Sequence, residues 1–295
     1  MRRIVALGVV LLTAVAARAQ APSAGWKTIS TEHFRVHYPK EYEAWTMRAA
    51  SRLESIRSAV VEEIGYDPPT PIDVVIANPI AQPNGFAWPF LDTPRIVFYT
   101  EPPGPDEVIG EYSSWVDLLA VHEVAPVVHM LRPSRNRTQR FIEQFLLPLN
   151  RVTLGAPRWV LEGYATVIEG RLTGAGRPSG TARAMILRQW AAHGRLPTYD
   201  QLDSDNRFLG MSMAYLSGSA YLEWLELRNG EGSLRRVWTR MTADRRRTFD
   251  EAFAGVFGGL GGYVSQAMVA DLVAPERHQA AYATVRGAAN SRKSR

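Results

Sequence analysis

The segment "AVHEVAPVVHML" (residues 120–131) places two histidines and a glutamate on what reads as a single helix. In an α-helix, residues i and i+4 lie on one face, roughly 6 Å apart. Two histidines at that spacing can converge on one zinc ion, and a glutamate beside the first can take a proton from metal-bound water. His122 and Glu123 fit that arrangement, but the i+4 position holds Pro126. Proline cannot bind zinc. It also lacks an N–H and crowds the carbonyl four residues back, that of His122, at an interior cost of about 3 kcal/mol and with a kink expected. His129 shares a face with His122 but sits about 10.5 Å further along the axis. It is a candidate metal ligand only if a kink brings the two rings together, and otherwise a packed neighbour of the site.

A third protein ligand has to come from another element, and "WVLEGYATVIEG" (residues 159–170) offers one. Glu162 lies on a helix whose face also carries Trp159, Ala165 and Glu169, so it can project inward. The competing reading is a surface glutamate on an amphipathic helix. The chain has no cysteine, so a metal site here must draw on His, Asp or Glu.

These residues need elements to hold them. Alternation of Phe34, Val36 and Tyr38 predicts a half-buried strand within "WKTISTEHFRVHYP". Trp45, Ala49, Leu53, Ile56, Val60 and Ile64 recur at helical spacing over residues 41–64, and Gly65 ends that run. "IDVVIAN" (72–78) and "RIVFYT" (95–100) predict strands, and the Pro/Gly-rich "PIAQPNGFAWPFLDTP" between them reads as a loop. The metal-motif helix starts near Ser113 or Ser114, either of which can serve as N-cap, and ends near Met130. "RPSRNRTQR" reads as a basic exposed segment before an apolar run over 141–149. "APRWVLEGYATVIEGRL" predicts a second helix, "TGAGRPSG" a flexible loop, and residues 181–272 a mostly helical remainder. The fold class is therefore α+β, with strands in the N-terminal half, helices in the C-terminal half and one long central helix.

The ends of the chain are different in character. Met1-Arg2-Arg3, an apolar run over 4–17 and the small-x-small Ala17-Arg18-Ala19 predict a signal peptide over residues 1–19. Export to the periplasm or the extracellular space follows as the expectation, with no membrane span kept after cleavage. Residues 276–295 read as a disordered tail. The formal charge of +5 sits in these ends: without residues 1–19 and 286–295, 27 basic residues face 29 acidic ones. Nucleic acid is therefore not an expected partner.

Taken in order, H-E and then W-V-L-E-G-Y-A resemble the gluzincin clan of zinc peptidases, most closely the peptidase-MA-like domains of exported bacterial proteins. "W-K-T-I-S-T-E-H-F-R-V-H-Y-P" looks like their opening strand, and "G-F-A-W-P" with "R-I-V-F-Y-T-E-P-P" like their substrate-side edge strand. "A-Y-L-S-G-S-A-Y-L" is similar to a later helix carrying a catalytic tyrosine in a Y-x-x-G setting. The resemblance covers roughly residues 26–272. It implies a zincin-like fold over residues 20–275, with an α/β half at about 26–131 and a helical half at about 132–275. It also implies a zinc cofactor, a peptide or protein substrate, and peptide-bond hydrolysis by metal-activated water.

Carried over by position, His122 and Glu162 are metal ligands, Glu123 is the general base, and Tyr215, ahead of Tyr221, is the oxyanion donor. The second ligand position of the motif is Pro126, so the pattern departs from the clan at that residue. A working zinc metallopeptidase and a degenerate relative that binds peptides without cleaving them are the two readings to separate. Chance occurrence of the motifs in an exported α+β domain is the third.

Overall fold

The computed structural model describes residues 25–258, apart from 105, 106, 110, 111, 147, 205 and 206, together with residue 268. The expected signal peptide, the expected tail and the helical expectation past residue 258 lie outside the described residues.

Five strands form one mixed sheet in the order β1-β2-β3-β5-β4. They span Trp26–Ser30 (β1), Phe34–Pro39 (β2), Ile72–Ala77 (β3), Gly85–Trp88 (β4) and Arg95–Tyr99 (β5). The β1–β2 and β4–β5 pairs are antiparallel, while β2–β3 and β3–β5 are parallel. The strand expected from Phe34, Val36 and Tyr38 is β2, and the residues before it add β1, which pairs with it as a hairpin turning at Thr31–His33. "GFAW", which composition assigned to a loop, is β4, paired in register with β5 (Phe86 opposite Val97). Its flanking prolines and Asn84 mark the ends of a short strand, not the absence of one.

Helix α1 (Glu43–Ile64) crosses from β2 to β3 and buries Ala49, Leu53, Ile56, Val60 and Ile64 against the sheet and its neighbours. Gly65 ends it in the left-handed conformation (φ 69°), which glycine adopts without a Cβ clash. The central helix α2 runs from Trp115 to Met130, and the Ser114 side chain caps it by accepting from the Asp117 N–H at 3.3 Å. Helix assignment continues across Pro126. Thirteen of its 16 residues are buried, so sheet, α1 and the helical half hold α2 from every side, enough to keep a proline in place.

The remainder is helical: α3 (Arg137–Phe145), α4 (Arg151–Gly155), α5 (Arg158–Thr173), α6 (Thr181–Ala192), α7 (Tyr199–Leu202), α8 (Met213–Asn229), α9 (Ser233–Met241) and α10 (Phe249–Phe257). The basic segment ahead of residue 141 is not simply exposed coil. Asn136 caps α3 within it, accepting from the Gln139 N–H at 3.0 Å. A π-helical turn, Arg207–Ser212, leads into α8. The chain is thus α+β, with a small mixed N-terminal sheet and a helical remainder. Among the described residues no helix is long and apolar enough to cross a membrane.

Candidate active site

Helices α5 and α8 approach each other through two glycines. A Cβ on Gly163 would fall 2.8 Å from the Gly218 carbonyl carbon, and one on Gly218 would fall 2.7 Å from the Trp159 carbonyl oxygen. Both contacts are with backbone, so no side chain fits between the helices there. This close approach explains the glycines in E-G-Y-A and Y-x-x-G. It sets Glu162, next to Gly163, and Tyr215, one turn before Gly218, beside α2.

His122 is the centre of the group. Its Nδ1 lies 2.8 Å from Glu169 Oε2, and its Nε2 lies 3.8 Å from Glu162 Oε2. Tyr215 stacks on the imidazole with ring centroids 5.9 Å apart and planes inclined by 28°. His122, Glu162 and Tyr215 therefore come together as expected from their order in the chain.

The Glu123 carboxylate lies beneath the sheet edge, within the field of His122, Glu162 and Arg177. A Cβ on Gly85 of β4 would lie 2.7 Å from Glu123 Oε1 and 2.7 Å from Leu119 Cδ1, so the edge strand passes directly over the carboxylate. Beyond that point Phe86 and Trp88 are exposed and stack on each other at 6.0 Å.

Three residues of the site were not assigned from the sequence. Glu169 is fully buried, whereas Glu162 keeps 27% of its side chain exposed, and it is Glu169 that makes the short contact to His122. Its spacing of seven from Glu162, two helical turns on one face, is the signal that could have found it. Arg177 follows in the segment expected to be a flexible loop. Its backbone N–H donates to Glu169 Oε1 at 3.0 Å, its Nη1 donates to Glu169 Oε2 at 3.0 Å, and its guanidinium lies 4.7 Å from the Tyr215 ring centroid. The loop is therefore fastened to the site. On the other flank Arg158 donates to the Gly210 carbonyl at 2.9 Å and pairs with Glu162 at 3.5 Å. No local motif announces either arginine.

The electrostatics follow from burial and these pairings. Burial pulls the His122 imidazolium down, but the Glu162 and Glu169 carboxylates outweigh it and raise its pKa to about 9. Burial pushes Glu123 up to about 7, with the charge of Glu162 adding and that of His122 opposing. Burial also acts to raise Glu162 and Glu169. The charges and hydrogen bonds of His122, Arg158 and Tyr215 around the first, and of Arg177 and His122 around the second, hold both below the usual carboxylate range. Burial pushes the Tyr215 hydroxyl well above its ordinary value.

His129 sits elsewhere. Its ring meets Tyr164 edge-on at 5.2 Å and Trp238 at 4.9 Å, it has no exposed surface, and neither ring nitrogen has a hydrogen-bond partner. Burial, with the nearby Arg132 charge, lowers its pKa to about 3, so it is a neutral core side chain. The helix that continues past Pro126 carries it away from His122 along the axis. Tyr221 likewise packs against Trp159 and Phe253, not beside His122.

The donor set can be tested against zinc on these residues. A catalytic zinc takes three protein ligands and leaves one position for water. Here His122 and Glu162 are in reach of a shared ion, Pro126 supplies nothing, and His129 is walled off by aromatic rings. Among the described residues no three His, Asp or Glu side chains are placed to hold a metal together. The residues present do not fit a three-ligand zinc site.

No family model matches the sequence, and no curated protein matches it as a relative. Solved structures of similar shape include an M1 zinc metallopeptidase from Deinococcus radiodurans, at 14% identity and TM-score 0.44, covering 84% of this chain and 51% of that one. A variant of that enzyme bound to a Tyr-Ser-Ala substrate matches at 16% identity and TM-score 0.41 over 84% and 51%. A two-domain M1 zinc metallopeptidase variant bound to L-tryptophan matches at 15% and 0.44 over 84% and 50%. The chain spans about half the length of these structures. A likeness this loose assigns neither family nor chemistry.

Proposed function

We propose that this protein is an exported peptide-binding protein on a gluzincin-like scaffold, with a hydrolytic site that has lost its zinc. The observation that carries the reading is the pair formed by Pro126 and His129. The first stands where a ligand is needed, and the second is sealed between Tyr164 and Trp238.

In this reading the remaining groups and the neighbouring sheet edge form the peptide-binding face. Strand β4 is at the sheet edge, so its outer N–H and C=O groups face no further strand of the sheet. An extended peptide can pair with such an edge, while pockets and aromatic rings select its side chains. Phe86 and Trp88 supply the aromatic surface. His122, Glu123, Glu162, Arg158 and Arg177 supply groups of both signs beside that edge, suited to the polar backbone and termini of a peptide.

As an imidazolium, His122 points its Nδ1–H at Glu169 and its Nε2–H toward Glu162. Metal binding at neutral pH has to displace the Nε2 proton and then make do with two protein donors.

The deciding experiment measures peptide binding and metal content together. Fluorescence anisotropy with a library of short unstructured peptides should give binding that a chelator leaves unchanged, and purified protein should carry far less than one zinc per chain. Near-stoichiometric zinc, or cleavage abolished by Glu123→Gln, would overturn the reading in favour of a working metallopeptidase.

A further inference from the structure

Helix α3 is turned inside out. Its buried side chains are Gln139 and Glu143, while Phe141 and Phe145 stand 56% and 71% exposed. Gln139 and Glu143 are four residues apart on one face, and Phe141 and Phe145 are four apart on the opposite one, about 200° around the helix. The inward glutamate has a structural task. It accepts from the Ser134 N–H at 3.0 Å, from Gln139 Nε2 at 3.3 Å and from the Arg151 N–H at 3.2 Å, tying the entry of α3 to the start of α4.

Among the described residues, the outward phenylalanines have no such task. Their rings pack on each other at 5.0 Å. Leu146, which follows Phe145, continues the surface at 72% exposed. Single exposed apolar residues need no explanation, but three adjoining ones at the end of one helix make a patch that marks an interaction surface.

Charge narrows the occupant. Arg137 lies on the same stripe as Phe141 and Phe145, and Arg140 is beside it; both are exposed. The loop carrying Arg245 and Arg246 is bound to the start of α3, where Asn136 Nδ2 donates to the Asp244 carbonyl at 2.9 Å. Asp244 is the one acid exposed on that loop, and neither α3 nor α4 exposes any. Aromatic and aliphatic tips among arginines on an exposed helix face suit the boundary between acyl chains and anionic headgroups.

We infer that α3 forms a membrane-surface docking face that inserts Phe141, Phe145 and Leu146 into an anionic bilayer. This is peripheral attachment of a folded domain, independent of whether the site around His122 is catalytic.

The test is vesicle co-sedimentation of the chain from Gln20 onward, which omits the apolar run that would itself bind lipid. Vesicles of phosphatidylcholine alone are compared with phosphatidylcholine mixed with phosphatidylglycerol. Binding to the mixed vesicles should exceed binding to the neutral ones and fall about tenfold or more in Phe141→Ser/Phe145→Ser, because attachment scales with buried apolar area. Arg137→Gln and Arg140→Gln should each weaken it about fivefold at moderate salt. All four side chains are exposed, and unchanged thermal melting checks that the variants fold. Equal binding to both vesicle types, or no effect of the double Phe variant, overturns the inference. So does self-association abolished by that variant in lipid-free solution, which assigns the face to a second copy of the chain.

Discussion

His122 Nδ1 and Glu169 Oε2 lie 2.8 Å apart, and both side chains are buried. The carboxylate fixes the imidazole on one side while Glu162 faces its other nitrogen. The His122 pKa of about 9 lies above its ordinary 6.5, so this pairing contributes stability that is fully present below about pH 6.5 and lost as pH rises through 9. Glu169→Gln should remove most of that dependence and leave Arg177 without its charge partner. Breaking a buried pair in this way costs about 3 kcal/mol or more. Urea unfolding with chelator present, at pH 7 and pH 10, should show the variant less stable at pH 7 and the gap narrowing at pH 10, where only the Arg177 part of the loss remains. An equal gap at both values would mean that the pair is not ionised as described.

Pro126 bears on stability and on metal binding separately. Pro126→Ala returns an N–H that can donate to the His122 carbonyl, and removing an interior proline recovers about 3 kcal/mol. For a domain of this size that raises Tm by about 5–10 °C. Pro126→His should add a ligand at the correct spacing. Its zinc affinity, measured by competition with a chromophoric chelator, should rise more than about 100-fold, since even supporting partners of metal ligands are worth 10–100-fold. A zinc affinity unchanged by Pro126→His would show that His122 and Glu162 do not share an ion.

The buried His129 sets the acid limit. Its pKa of about 3 lies below the ordinary 6.5, so stability is present above about pH 6.5 and is lost as pH falls toward 3, where the unfolded chain takes up a proton that the folded one does not. At pH 5 that difference amounts to about 2 kcal/mol. Glu123, raised to about 7, works in the opposite sense, adding stability as pH falls from 7 to 4.5. His129→Leu should therefore narrow the loss of Tm between pH 7.5 and pH 5 relative to the parent. A variant with the same acid slope would place the titrating group elsewhere.

How far the sequence reached depends on the kind of signal. The α1 stripe from Ala49 to Ile64, the Ser114 cap and the order of H-E before W-V-L-E-G-Y-A were legible, because helical period, capping chemistry and motif order are local properties. The same motifs placed His122, Glu162 and Tyr215 together. Strand β4 was hidden from composition because four residues between prolines carry too little alternation to register. Its pairing with β5 is a tertiary fact. Arg177 was hidden because its role depends on a loop folding back eight residues onto Glu169. The inverted face of α3 was hidden for a related reason. Periodicity shows that Phe141 and Phe145 share a face, but not that the face turns outward.

The contact between Gly85 and Glu123 gives the sharpest test of the peptide-binding face. A methyl group at position 85 would come within 2.7 Å of Glu123 Oε1 and Leu119 Cδ1, closer than real Cβ contacts. Glu123 is a side chain and can swing aside, but doing so moves its buried carboxylate, and overpacking of this kind costs about 1–3 kcal/mol. Gly85→Ala should therefore lower Tm modestly, while Gly85→Val should also displace β4 from α2. If peptides bind along β4 beside Glu123, affinity should fall about tenfold or more in Gly85→Val. Trp88→Ala, on the exposed side of the same strand, should weaken binding without lowering Tm, because Trp88 packs mainly against exposed Phe86. Anisotropy and melting measured on the same samples separate the two effects. Full affinity in both variants would place the peptide somewhere other than the sheet edge.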